Sequence, residues 1–171
     1  MIGAYFLGNQ TIETRPLALP EPGEGQVLVK VCACGVCGTD VHIYHGGKGS
    51  ADVTPPVILG HEFSGHVVKL GSGVTGLEEG QLITVDPNIY CGKCRPCRQG
   101  QKQMCHHMQA VGVNMDGGFA DYCLVPYAQC VAVPEGTDPE VAALAEPLAC
   151  CLHGIDRAGI RPGENVLVIG G

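Results

Sequence analysis

The sequence contains no tryptophan, few charged residues and no long run of apolar ones. Charged residues make up 16% of its 171 positions and apolar residues 45%, a balance that excludes a disordered chain and favours a packed globular domain. The longest apolar stretch, residues 141–152, is interrupted by Glu146 and Pro147, and residues 1–10 lack a basic segment followed by a sustained apolar core. We therefore expect no membrane association and a cytoplasmic location.

Positive charge is also scarce, because 10 Lys and Arg are set against 17 Asp and Glu, and the net charge is −7 with His neutral. Binding to a phosphate backbone rests on Lys and Arg, so no nucleic-acid partner is expected. Glycine, proline and cysteine, by contrast, are abundant, at 26, 12 and 11 residues. Gly and Pro together reach about 22%, which excludes a helical bundle. The odd number of cysteines excludes complete internal disulfide pairing, and in a reducing compartment such a chain is predicted to bind metal.

Short β-type runs separated by Gly, Pro or Asn predict a mainly β fold with short helices, either a barrel or a sandwich. The predicted strands cover residues 2–6, 26–32, 63–70, 82–85, 119–125 and 129–133.

The pattern changes after Pro134. Residues 137–140 supply an N-cap and a first-turn proline for a helix over 141–145, and a second helix over 147–158 is predicted to end at Gly159. The following apolar run, residues 165–171, is typical of a buried parallel strand and predicts the first strand of a second domain. This pattern divides the chain into one domain over residues 1–145 and the start of another over residues 146–171.

Four cysteines with the spacing C-x2-C-x2-C-x7-C lie in a loop that is rich in Gly, Pro, Lys and Gln. They are Cys91, Cys94, Cys97 and Cys105. Four thiolates can close a tetrahedral sphere around zinc and leave no open position, so we predict a structural zinc lobe over residues 86–108. An iron–sulfur cluster is the alternative, because the first three cysteines also match the start of a ferredoxin motif. The fourth comes too late for that motif and is followed by His106 rather than proline.

A second candidate site has more widely spaced residues. Cys37 follows a predicted strand, and His61 and Glu62 begin another. Thiolate, imidazole and carboxylate are all zinc ligands, and three protein ligands leave a fourth position for water or substrate. By spacing alone, a buried thiol and a hydrogen-bonded core histidine remain the alternative.

Four motifs in order resemble the zinc-dependent medium-chain dehydrogenases, specifically the branch of polyol (sorbitol), threonine and butanediol dehydrogenases. They are Gly-Val-Cys-Gly-Thr-Asp-Val-His at 35–42, Gly-His-Glu-Phe-Ser-Gly at 60–65, the four-cysteine cluster, and Glu-Pro-Leu at 146–148. The resemblance implies a GroES-like β-barrel catalytic domain, followed by a Rossmann domain that carries NAD or NADP. It also implies two zinc ions, a small alcohol or polyol substrate oxidised to a ketone, and a homodimer or homotetramer.

The resemblance assigns Cys37 and His61 as ligands of the catalytic zinc. It also assigns both Glu62 and Glu146 to the zinc shell, with their order open. Asp40 matches the carboxylate that accepts a hydrogen bond from the zinc-bound histidine.

The remaining assignments concern the proton path and the cofactor. Thr39 matches the hydroxyl that bonds the substrate oxygen, and His42 matches the solvent end of a proton relay. Gly170 and Gly171 match only the opening of a dinucleotide fingerprint, so we expect the chain to be inactive alone.

A non-enzymatic zinc or iron–sulfur module is the alternative function. Cys123 and Cys130 lie in β-type runs and Cys150 and Cys151 in a helical one, so these four are expected to be buried small apolar side chains.

Overall fold

A computed structural model describes residues 1–49 and 51–169 of the chain as a mainly β structure. Its ten strands are β1 Ile2–Gly8, β2 Thr11–Pro16, β3 Gln26–Gly35, β4 Val57–Ile58, β5 Glu62–Leu70, β6 Leu82–Val85, β7 Asn88–Ile89, β8 Gln109–Ala110, β9 Tyr122–Pro126 and β10 Cys130–Ala132. Its four helices are α1 Gly38–Tyr44, α2 Arg95–Arg98, α3 Pro139–Ala143 and α4 Ala145–Ala158.

The central feature is an antiparallel five-stranded sheet with the order β10-β6-β5-β3-β9. Its strands are rich in β-branched residues, which pack well on a pleated surface. The inward-facing side chains form the main core, made of Val27, Val29, Phe63, Val67, Ile83, Val85, Val111, Cys123 and Val125. This sheet matters for function because its longest pair, β3 and β5, ends at the candidate metal ligands.

The β3 and β5 strands approach each other closely at Gly65. A Cβ atom at Gly65 would overlap the backbone carbonyl of Lys30, so only glycine fits there without moving the sheet. The register continues from Val27 opposite Leu70 to Gly35 opposite Glu62.

A second, three-stranded sheet has the order β2-β1-β4. Backbone hydrogen bonds from Ala4 N–H to Phe119 O (2.8 Å) and from Asp121 N–H to Ile2 O (2.9 Å) connect β1 to the segment that leads into β9. Because β9 is the edge of the five-stranded sheet, these bonds join the two sheets. A short β7–β8 hairpin stands beside them and leads into and out of the four-cysteine loop.

The predicted strands are confirmed in place, although the run predicted at 119–125 begins only at Tyr122. The sequence reasoning did not predict β2, and the reason is its exposure. All six residues of Thr11–Pro16 are exposed, so no apolar alternation marks the strand.

The two predicted C-terminal helices are also confirmed. Asp138 caps α3 by accepting a hydrogen bond from the Glu140 backbone N–H at 2.9 Å, and α4 ends at Gly159 in the left-handed conformation with φ 65°. α3 packs on β3 and β5, and Ser64 Oγ donates to the Pro139 carbonyl at 2.5 Å. Among the described residues, no helix has the length and apolar character needed to cross a bilayer.

The predicted strand after these helices is wrong for residues 165–169. Residues 164–169 have no regular secondary structure, and Leu167 and Ile169 are 85% and 90% exposed. A parallel strand has no hydrogen bonds of its own and needs a neighbouring strand. Within residues 1–49 and 51–169, no strand pairs with this segment. The last two positions of the predicted strand, Gly170 and Gly171, lie outside the described residues.

Candidate metal centres

The four-cysteine loop brings its thiols into one cluster. The Sγ atoms of Cys91, Cys94, Cys97 and Cys105 all lie within 4.8 Å of one another. Cys94 Sγ lies 3.3 Å from Cys97 Sγ and 3.9 Å from Cys105 Sγ. Tetrahedral zinc with bonds of about 2.3 Å would space its sulfur ligands about 3.8 Å apart, so the donor set and its size fit one zinc ion.

Backbone N–H groups surround these sulfur atoms. Cys91 N–H donates to Cys105 Sγ at 3.3 Å, Cys94 N–H to Cys91 Sγ at 3.4 Å, and His107 N–H to Cys105 Sγ at 3.3 Å. The N–H groups of Cys97 and His106 lower the pKa of Cys94 to about 6. Desolvation and the neighbouring thiols raise the pKa of Cys97 to about 12. The loop therefore stabilises negative charge on sulfur, but four thiolates this close together need a cation to balance them.

The second centre forms where β3 ends and β5 begins. Cys37 follows β3 and is the N-cap of α1, while His61 directly precedes β5 and Glu62 is its first residue. One ligand atom from each of these three residues lies within 4.8 Å of the other two. The Cys37 Sγ also accepts a hydrogen bond from the Thr39 N–H at 3.4 Å. Residues 24 positions apart in sequence thus form one mixed sulfur, nitrogen and oxygen set, which suits zinc with an open position.

Asp40 contacts two of these three residues, Cys37 and His61. Its Oδ2 accepts a hydrogen bond from the Cys37 N–H at 2.9 Å, and its Oδ1 lies 3.5 Å from His61 Nδ1. Asp40 and His61 are buried, at 4% and 7% exposure, and within the described part of the chain Oδ1 and Nδ1 make no hydrogen bond. Because Nδ1 faces the carboxylate, the other ring nitrogen, Nε2, is the one available to a metal.

The charges at this centre favour a protonated imidazole when no cation is present. Burial opposes protonation of His61, but the adjacent Asp40 carboxylate and the Cys37 sulfur outweigh it and raise the pKa of His61 to about 9. The buried ring therefore lies where the protein supplies negative charge, which is also the electrostatic environment that attracts a metal ion.

A cleft of about 300 Å³ opens over these ligands. Thr39 and Glu146 line it together with Cys37, His61 and Glu62. Glu146 comes from the first turn of α4 and is not part of the compact set of three.

His42 is not among the residues that line this cleft. It is exposed on α1 and its ring packs against Gly47.

The prediction that Cys150 and Cys151 are buried is wrong, because both are exposed. Cys150 lines the cleft, where its Sγ donates to Glu146 Oε1 at 3.4 Å. Desolvation at the cleft wall and the Glu146 carboxylate raise the pKa of Cys150 to about 11. The i, i+4 spacing from Glu146 could have indicated a shared helix face. The prediction holds for Cys123, which is in the core, and Cys130 packs against that core.

Comparison with known families agrees with this geometry. The family model described as the alcohol dehydrogenase GroES-like domain matches residues 23–135, about two thirds of the chain. The chain belongs to this family. The matched segment contains Cys37, His61, Glu62 and the whole four-cysteine cluster, so both candidate centres lie within the GroES-like domain.

Several proteins that are similar to this chain are named as dehydrogenases. The chain is 42% identical over 153 residues to L-threonine 3-dehydrogenase of Pyrococcus horikoshii, covering 89% of this chain and 44% of that protein. It is 41% identical over 164 residues to sorbitol dehydrogenase of Halalkalibacterium halodurans, covering 95% and 46%. The crystal structure of a zinc-binding dehydrogenase from Sinorhizobium meliloti bound to NADP superposes with a TM-score of 0.89 at 48% identity, covering 95% and 46%. The chain therefore spans less than half the length of these relatives.

Proposed function

We propose that this chain is the catalytic domain of a zinc-dependent, NAD(P)-linked dehydrogenase that oxidises a secondary alcohol or polyol to a ketone. The observation that carries the proposal is the meeting of Cys37, His61 and Glu62 at the floor of a cleft that Thr39 and Glu146 also line. The names of the relatives, which refer to an amino alcohol and a polyol, support the same substrate class.

Each residue has a separate task in this proposal. Cys37, His61 and Glu62 hold the catalytic zinc, and the four-cysteine cluster holds a structural zinc. Asp40 orients His61 and the Cys37 backbone through the contacts described above. When bound, zinc supplies Lewis acidity towards a substrate hydroxyl and the nicotinamide accepts a hydride.

Thr39, His42 and Glu146 are assigned to proton transfer and substrate binding. Thr39 lines the cleft one helical turn before exposed His42, so its hydroxyl is in place to bond the substrate oxygen while His42 exchanges the proton with solvent. Glu146 lines the same cleft and offers a carboxylate to a second substrate hydroxyl or to water. Two carboxylates at one cleft suit a substrate with neighbouring hydroxyl or amino groups.

The proposal also covers the domain organisation, the assembly and the compartment of the protein. Residues 1–145 would form the catalytic domain and residues 146–171 the start of a Rossmann domain for NAD or NADP. Support comes from α4, which exposes Leu148, Leu152 and Ile155 at 58%, 53% and 51%, a face that suits contact with further protein. A homodimer or homotetramer is proposed with it. All eleven cysteines are free, which supports the cytoplasm as the compartment.

Metal analysis combined with absorption spectroscopy tests the proposal. We expect two zinc ions per chain, no iron, and no absorption band near about 400 nm. Iron with such a band would instead support an iron–sulfur module. If the parent chain binds only one zinc, and substitution of Cys37 and His61 leaves that zinc bound, the open metal centre is absent and the enzymatic function is overturned with it.

A further inference from the structure

We propose that Gly35 is a positioning residue for the metal centre, because its missing side chain provides the space that the Glu62 carboxylate occupies. The inference rests on the proposed function, in which Glu62 is a ligand, and it names the feature of the fold that lets Glu62 serve as one. Nothing in the motif pattern assigns this role, since Gly35 only precedes the Cys37 ligand by two positions.

The evidence begins with strand register. Gly35 is the last residue of β3 and lies opposite Glu62, the first residue of β5. A Cβ atom at Gly35 would lie 2.5 Å from Glu62 Oε2, 3.3 Å from Glu62 Cβ and 3.6 Å from Glu62 Cδ. The three atoms nearest to that position thus all belong to Glu62. Even the smallest side chain at Gly35 would overlap the carboxylate oxygen.

Backbone conformation does not explain this glycine. Gly60, at the other edge of the centre, has φ 94° and needs glycine for that reason. Gly35 has no positive φ, so an alanine could adopt its backbone conformation without strain. The requirement for glycine at this position is therefore one of space, and the space is filled by a single side chain.

The overlap would be relieved by moving Glu62 rather than the sheet. Oε2 is the far end of a flexible side chain, which can rotate away from an added methyl group. Gly65, on the same pair of strands, is the contrasting case, because there the obstacle is the Lys30 backbone. We therefore expect Gly35→Ala to fold, with its Glu62 carboxylate displaced from Cys37 and His61.

Displacement of Glu62 changes the charge of the centre. With a Cys37 thiolate and a Glu62 carboxylate, two negative ligands balance a divalent cation. Without the carboxylate, only the Cys37 thiolate and the neutral His61 imidazole remain, and zinc is held by fewer and less charged ligands.

Zinc affinity measured by competition with a chromophoric chelator tests the inference in the 171-residue chain. Gly35→Ala is expected to lower zinc affinity at the open centre by about 10–100-fold, the range typical of lost ligand positioning. Gly38→Ala is the matched control, because Gly38 is also close to Cys37 in sequence but an added Cβ there would meet no atom of the described residues within 4 Å. It should change zinc affinity by less than about twofold, and the lobe zinc should stay bound in both variants.

A double variant separates this role from a general structural one. If Gly35 acts through Glu62, Gly35→Ala should have no further effect on zinc affinity in a Glu62→Ala chain. Parental affinity in Gly35→Ala, or a further loss in the double variant, would overturn the inference. If Gly35→Ala alone does not fold, a folded Gly35→Ala/Glu62→Ala chain supports the predicted overlap, and an unfolded one contradicts it.

The same measurements distinguish this inference from the proposed function. If Cys37→Ala and His61→Ala leave zinc binding at two ions per chain, the open centre itself is absent and the proposed function fails. If those variants lose the open-centre zinc while Gly35→Ala keeps it, only the role of Gly35 is wrong.

Discussion

The two candidate metal centres are built in opposite ways. The four-cysteine lobe takes all its ligands from residues 91–105, on one loop between the strands of the β7–β8 hairpin. The open centre takes Cys37 from just after β3, and His61 and Glu62 from where β5 begins, and its cleft is also lined by Glu146 of α4. Four identical thiols close a metal sphere, whereas three mixed ligands at a cleft leave a position for substrate.

The two centres also depend on the fold to different degrees. In the lobe, the surrounding contacts are backbone N–H groups of the same loop, and the cysteines are only partly buried. In the open centre, Asp40 and His61 are buried next to the main sheet. The lobe therefore needs its metal in order to keep its shape, while the open centre is held in shape by the sheet even before metal binds. The predictions below test this difference.

The largest effect on stability is expected from the lobe. Cys97→Ser removes one of four ligands, so zinc per chain should fall from two to one and the free energy of unfolding should drop by more than about 2 kcal/mol, because structural zinc contributes folding free energy directly. Metal analysis and denaturant unfolding measure both. Cys32→Ser, which changes an exposed thiol, is the control. A variant that retained both zinc ions would remove Cys97 from the ligand set.

At the open centre, His61→Ala should remove one zinc while the lobe keeps the other. The loss of stability should be smaller than for Cys97→Ser, because the β3–β5 pairing remains. In the proposed NAD(P)-linked enzyme, turnover should be abolished. Zinc analysis and alcohol oxidation assays measure these effects. His66→Ala, on the β5 strand that follows His61, where the ring bonds the Gly80 carbonyl at 3.0 Å, is the control. Undiminished turnover would contradict the assignment of His61.

How much could be predicted from the sequence follows the same division. The four-cysteine lobe could be predicted because its ligands are close together in sequence. The spacing from Cys91 to Cys105 alone indicates a closed metal site. The cluster of Cys37 with His61 depends on strand pairing, and only the resemblance to a known family brought them together. The space at Gly35 could not be predicted, because it follows from a register that places it opposite Glu62.

The fold shows a similar limit. Helices α3 and α4 were predictable because Asp138 and Gly159 are local start and stop signals. The apolar run 165–169 has the composition of a strand but takes no regular structure, since a parallel strand forms only against a neighbour. Cys150 was placed in the core because cysteine is usually buried, yet α4 turns it towards the cleft.

A smaller effect is expected from substitution of Asp40, whose carboxylate lies next to His61. Asp40→Asn keeps an oxygen that can accept the Cys37 N–H but loses the charge that faces His61 Nδ1, so zinc affinity at the open centre should fall by about 10–100-fold. Asp52→Asn, at an exposed ion pair with Lys48, is the control and should leave affinity unchanged. The lobe zinc should not respond to either variant. An equal loss of both zinc ions in Asp40→Asn would mean that the two centres are not independent.

The smallest effect on zinc affinity is expected from substitution of Glu146. Glu62 lies within the compact ligand set and Glu146 does not, so Glu62→Gln should weaken zinc binding by tenfold or more, and Glu146→Gln by less than about threefold. Because Glu146 lines the cleft without belonging to the ligand set, its loss should instead raise the KM for a vicinal diol in the proposed NAD(P)-linked enzyme. Chelator competition and steady-state kinetics separate the two effects. The reverse order of zinc affinities would make Glu146 the direct ligand and Glu62 the residue that serves the substrate, so this pair of variants decides which carboxylate completes the open centre.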